Sequence, residues 1–98
     1  MFRHVVMFRW NDDVDDAHVD KVSAALTELG ASLPEVQAYR HGRDAGLGAD
    51  NFDYVVVADF DSPSDYETYR DHPSHQSLIE EHIAGRVAAR AAVQYRTD

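Results

Sequence analysis

Two short runs constrain this chain more than any motif within it. Phe2–Trp10 and Phe52–Phe60 are rich in β-branched and aromatic residues and contain neither Gly nor Pro, the composition of β-strands. Successive side chains of a strand point to opposite faces, so each run has two sides. In the first, Phe2, His4, Val6, Phe8 and Trp10 oppose Arg3, Val5, Met7 and Arg9. In the second, Phe52, Tyr54, Val56, Ala58 and Phe60 oppose Asp53, Val55, Val57 and Asp59. Both sides of both runs are apolar at the centre. Such strands must be covered on both faces, which excludes a sheet with one face washed by water.

The intervening segments supply one of those covers. After the acidic run Asn11–Asp16, with Asp15 or Asp16 as N-cap, Val19, Val22, Ala25, Leu26 and Leu29 recur at three- and four-residue spacing. That spacing predicts an amphipathic helix over Ala17–Leu29, with Gly30 as its terminator. His18 falls on its polar side. Glu35–Arg43 reads as a second strand whose polarity places it at a sheet edge and His41 in solvent, followed by a loop over Asp44–Asn51. Ser62 and Pro63 form an N-cap and first-turn pair for a helix ending near Asp71, and Pro73 then breaks the chain and starts a second helical piece through about Ala84. The alanine-rich end, Ala91–Arg96, has helical propensity but is expected to be a strand, because the order β-α-β-β-α-β needs a fourth.

That order is the ferredoxin-like split βαβ unit, an α+β fold with a four-stranded antiparallel sheet and its helices on one face. It leaves the other face bare, with Val5, Met7, Val55 and Val57 forming an apolar patch too large for a soluble monomer. A second copy packed sheet to sheet through a two-fold contact covers it, so a homodimer is expected, with Arg3, Arg9, Asp53 and Asp59 at the rim.

Length and charge narrow the function classes. Ninety-eight residues suit one domain over 1–98. Nine basic against eighteen acidic residues give a formal charge of −9, which repels phosphate backbones and anionic lipid, so neither nucleic acid nor membrane is an expected partner. There is no cysteine, hence no disulfide or thiolate metal site. The N-terminal strand is too short and too charged for a signal peptide, and a cytoplasmic protein is expected.

The chemistry-bearing stretch is Asp65–Gln76, where Tyr69 precedes the His72–Pro73 break and His75 follows it. A kink between two helical pieces would fix these side chains relative to each other and make a pocket floor. The plainer alternative has Tyr69 in the core, His72 in a surface turn and His75 as a first-turn polar residue. His4, on the apolar face of the first strand, has the same pair of readings, pocket group or satisfied core histidine. A metal held by His72, His75 and His82 is the weaker possibility, because His72 and His75 straddle a proline. No cofactor is expected.

The segments His4–Trp10, Leu33-Pro34, Gly42-Arg43-Asp44, Phe60, and Tyr69 with His72-Pro73-Ser74-His75 together resemble the stress-responsive A/B barrel (Dabb) family over nearly the whole chain. The resemblance implies a homodimeric α/β barrel with a small-molecule pocket in each subunit between sheet and helices. Most members have no assigned reaction, and the best-understood activity is that of a plant polyketide cyclase working without cofactor through a tyrosine and a histidine. By position these match Tyr69 and His75, as a catalytic pair, while His4, Val6, Phe8, Leu26, Tyr54, Val56 and His72 would contribute to substrate binding. Tyr54 stands where the cyclase has another histidine and Leu26 where it has a pocket tyrosine, which sets its polyketide substrate apart. Three classes follow: a small-molecule-binding barrel of no assigned turnover; a cofactor-independent cyclase, lyase or isomerase acting on a polyketide-like or other carbonyl compound; and a haem- or quinol-directed monooxygenase, as in related dimeric barrels.

Overall fold

The computed structural model describes residues 1–98 as β1 (Phe2–Trp10), α1 (Asp16–Ser32), β2 (Ala38–Arg43), β3 (Tyr54–Phe60), α2 (Pro63–Asp71), α3 (Pro73–Leu78) and β4 (Val87–Arg96). Neighbouring strands are antiparallel in the order β2-β3-β1-β4. The two double-faced runs are therefore the central strands, paired Val5 to Val57 and Val6 to Val56, and the ferredoxin-like α+β fold is as expected. No helix is long and apolar enough to cross a membrane.

Local signals account for most element ends. The Asp15 side chain accepts from His18 N–H at the start of α1, and Ser62 does the same for Asp65 N–H at α2. His72, at φ −64° and ψ 135°, is the extended residue that Pro73 demands, and it is both the last cap of α2 and the first cap of α3. Beyond Leu78 the chain does not continue as α-helix. Ile79–Ile83 forms a single π-helical turn, closed by Ala84 N–H donating to Ile79 C=O at 2.8 Å.

Four boundaries differ from the sequence expectation. α1 runs through Gly30 to Ser32, because Leu33 is buried and extends the apolar stripe. Gly30 serves as a contact instead: a Cβ there would stand 2.5, 2.7 and 2.8 Å from Cδ2, Cγ and Cβ of Tyr39, so only glycine lets β2 lie against the helix. β2 and β3 each begin later than expected, at Ala38 and Tyr54. β4 is longer, starting at Val87 and pairing with β1 from end to end with a bulge near Trp10. Those ladder hydrogen bonds, which need a partner strand, override the alanines' helical preference.

The core lies between the helices and one sheet face. Val22, Tyr54, Val56, Ala58 and Phe60 are at most 2 % exposed. α1 adds Leu26 and Leu29, and α2 adds Tyr69. The opposite sheet face carries Val5, Met7, Val55, Val57 and, by register with β1, Ala91, Val93 and Tyr95. Met7, Val93 and Tyr95 are exposed in the single chain. Within this face Arg3 and Asp59, paired across β1 and β3, form a two-pronged salt bridge at 2.7 and 2.9 Å.

Candidate functional site

The side chains that converge come from all four strands and from the helices packed on them. Alternation along β1 and β3 aims His4, Val6, Phe8 and Val56 at the helices, and β2 aims Tyr39 the same way, since it is registered with Ala58. The helical kink at Pro73 turns Tyr69 and His75 toward each other, with ring centres 4.4 Å apart. Together with Leu26, Tyr66, Leu78, Ile79 and Ile83 they enclose a cavity of about 200 Å³. This exceeds the ~150 Å³ that admits benzene in an apolar core and is below the ~300 Å³ at which drug-sized sites begin. A monocyclic or short-chain molecule fits it. A larger groove of about 560 Å³ runs between α1 and α3, but it is an open trough bearing Glu28 and Glu81 with no buried polar groups converging on it.

His75, His4 and the Tyr39–Tyr69 pair are each held by a partner within the chain. His75 Nδ1 lies 2.9 Å from Arg70 C=O. A carbonyl only accepts, so Nδ1 carries the proton and the neutral ring presents Nε2 as a lone pair. Gln94, registered with His4 across β4, donates its amide to His4 Nδ1 at 2.8 Å, which places the His4 proton on Nε2. No buried polar side-chain atom lacks a partner, and His4 Nε2 makes no bond within the chain, so it opens onto the cavity. Tyr66 covers the His4 ring at a centroid distance of 4.9 Å. The Tyr39 and Tyr69 hydroxyls are 2.8 Å apart.

Burial sets the charge states. It is the main cause that lowers His4 to about 4, with Arg90 and His75 adding in the same direction. His75 is also lowered, mainly by burial, against a partial counter-effect from its bond to the Arg70 carbonyl. Burial pushes Tyr69 up to about 12, opposed by the Tyr39 hydroxyl, and drives Tyr39 further above the phenol range with Tyr69 adding to the effect. At neutral pH both histidines are uncharged and both phenols protonated. Either hydroxyl of the Tyr39–Tyr69 pair can be the donor; with Tyr39 donating, the Tyr69 proton is left for another acceptor. The arrangement therefore offers a base, His75 Nε2, and two donors, Tyr69 O–H and His4 Nε2–H, around an apolar chamber.

Of the sequence-designated residues, Tyr69, His75, His4, Val6, Phe8, Leu26 and Val56 line the cavity. Tyr54 and His72 do not. The Tyr54 ring is 1 % exposed, and its hydroxyl is held by Ser23 Oγ at 2.8 Å and His41 Nδ1 at 2.7 Å. His72 Nδ1 accepts from Ser74 N–H at 3.0 Å, so its ring is spent on capping α3. His41, expected in solvent, is half-buried and bridges Tyr54 to Thr27 Oγ1 at 3.0 Å. His18 donates Nε2–H to His82 C=O at 2.8 Å. Tyr39 was missed because β2 alternates too weakly in sequence to say which of its residues face inward. Arg90 was missed because its facing depends on the pairing of β4 with β1.

The Stress responsive A/B Barrel Domain (Dabb) family model matches residues 2–97. No curated protein matches the chain. A dimeric ferredoxin-like protein of unknown function from Thermobifida fusca YX is 44 % identical, with TM-score 0.89, over 96 % of this chain and 88 % of that one. A dimeric protein of unknown function and ferredoxin-like fold from Bacteroides fragilis is 23 % identical, with TM-score 0.78, over 97 % and 94 % of the two chains. The hydroxynitrile lyase of Passiflora edulis shares the fold at 21 % identity and TM-score 0.84, over 96 % and 90 %.

Proposed function

Because the chain belongs to the stress-responsive A/B barrel domain family, we propose that it is a homodimeric barrel whose subunits each take one small organic molecule between sheet and helices. The observation that carries this is the enclosed 200 Å³ cavity in which Tyr69 and His75 face each other, each tied on its far side to the protein. Apolar walls with a few convergent polar groups are the usual form of a small-molecule site. The dimer is supported by the exposed Met7, Val93 and Tyr95 on the bare sheet face and by the dimeric proteins of the same fold. Val5, Met7, Val55 and Val57 are its proposed centre, extended by Ala91 and Val93.

A second reading is favoured by the fixed His75 tautomer. A neutral imidazole with Nε2 free can remove a proton from carbon next to a carbonyl, leaving its electron pair as an enolate. The Tyr69 hydroxyl, still protonated at neutral pH, donates to the oxygen that gains charge. This is the chemistry of a cofactor-independent cyclase, lyase or isomerase on a carbonyl compound. The same geometry serves binding alone, since a fold does not fix a reaction.

A thermal-shift screen of wild type, Tyr69→Phe and His75→Ala against small aldehydes, ketones, lactones and aromatic acids tests both readings. A ligand that raises the wild-type melting temperature by mass action, and does so less in the variants, supports the pocket, and turnover of that compound is then assayed. If no compound shifts the wild type while both variants melt far lower, the two residues are structural and the pocket reading is wrong.

A further inference from the structure

We propose that the molecule this cavity accepts carries a carboxylate, and that Arg90 at the cavity mouth receives it. The inference rests on the pocket reading above and adds the chemical class of the ligand.

The cavity lining contains two histidines and two arginines, His4, His75, Arg70 and Arg90, and no carboxylate. In a chain with eighteen acidic residues against nine basic, this exclusion of acids is the reverse of the surrounding composition. The two guanidinium groups are not equivalent. Arg70 is clamped by Asp71 through Nε and Nη2 at 2.9 and 3.0 Å. Arg90 makes no ion pair and no side-chain hydrogen bond, and it stands at the exposed edge of the apolar cavity.

Its position explains both the vacancy and the access. Arg90 lies across from Phe8 on edge strand β4, on the helix-facing side. Ala92 and Gln94 follow it on that side, opposite Val6 and His4. Gln94 is engaged with His4, and Ala92 is too small to fill the space between. All three are exposed, so the cavity opens along this edge with Arg90 beside the opening. A planar guanidinium matches a carboxylate in two-pronged geometry. A small acid entering here would place its apolar body among Val6, Phe8 and Leu26 and its head on Arg90. Its inner end would meet Tyr69 and His75. Arg90 is also among the causes that lower His4 and His75, consistent with a charge facing both rings.

The test is an NMR titration of the full chain, wild type and Arg90→Gln, with acetate, isobutyrate and benzoate, with the neutral isosteres acetamide, isobutyramide and benzamide, and with inorganic phosphate. Because Arg90 is exposed and unpaired, Arg90→Gln is expected to keep the wild-type amide spectrum away from the cavity. A carboxylate that perturbs Tyr69 and His75, binds more tightly than its amide, and weakens roughly tenfold in Arg90→Gln while the amide does not, supports the proposal. Equal binding of acid and amide in wild type, or equal loss of both in the variant, overturns the carboxylate class and leaves the pocket standing. Phosphate binding as tightly as the best carboxylate also overturns it, in favour of a general anion site. If none of the probes perturbs cavity residues, the pocket reading falls with it.

Discussion

Replacing His4 by Phe tests how strongly the cavity wall holds a histidine uncharged. Burial lowers this group from the ordinary 6.5 to about 4, so between those values the unfolded chain binds the proton and the folded chain does not. Stability then rises with pH across that window. The His4 contribution is unopposed above about pH 6.5 and is progressively lost as pH falls toward 4. At ~1.4 kcal/mol per pH unit the full drop corresponds to about 3 kcal/mol. Nε2 opens onto a cavity that water can enter, so about 2 kcal/mol is the better expectation after screening. Phe keeps a flat ring and strand propensity without a titrating group. Urea unfolding at fixed protomer concentration, from about pH 7.5 to about pH 4.5, gives the assay. Wild type should lose about 1–2 kcal/mol more than His4→Phe over that range. His41 and His75, also lowered by burial, titrate in the same sense and largely cancel in the difference. Asp59, held below the usual carboxylate range by Arg3, loses its contribution only at lower pH. Parallel stability curves for the two proteins would refute the reasoning, as would a His4 ring proton titrating near 6.5 by NMR.

The Tyr39–Tyr69 bond should give a coupling of about 1 kcal/mol in a cycle of Tyr39→Phe, Tyr69→Phe and the double variant; strictly additive losses would mean that the two hydroxyls act independently. Gly30→Ala should be net destabilising even though helical propensity would return up to ~1 kcal/mol, because its methyl lands on the root of Tyr39. A variant that melts higher than wild type would contradict that contact. Val93→Asp, at a side chain 55 % exposed in the single chain, should leave the subunit folded yet shift its mass by light scattering from dimer toward monomer. An unchanged dimer mass would move the proposed interface elsewhere.

The parts of this fold legible in the sequence are those set by local chemistry. Doubly apolar runs became the two central strands, Asp15 and Ser62 cap helices, and Pro73 breaks one, which brings Tyr69 and His75 together. The rest depends on distant partners. Gly30 reads as a helix stop until Tyr39 is seen against it. His41 reads as exposed until Tyr54, thirteen residues on, turns its hydroxyl toward it. Tyr54, a substrate-binding position by the family resemblance, has its hydroxyl held by Ser23 and His41 and does not line the cavity. His72 carries the most suggestive local motif and spends its ring nitrogen on the backbone of the next helix. Arg90 and Gln94 acquire their places only through the register of β4 on β1, a pairing across more than eighty residues.

The π turn at Ile79–Ile83 has a consequence for how such a pocket can change over generations. It holds one residue more than the α turn it replaces, and Leu78, Ile79 and Ile83 all line the cavity. Loss of one residue there can be absorbed by tightening to an α turn, with Pro73–Leu78 and β4 keeping their places. Side chains before and after the turn would keep their directions, because the wide turn and the α turn sweep nearly the same angle. Only the side chains within Ile79–Ile83 would be redistributed along the cavity wall. Related chains can in this way recut the chamber for a different molecule by changing length alone, with Tyr69 and His75 untouched.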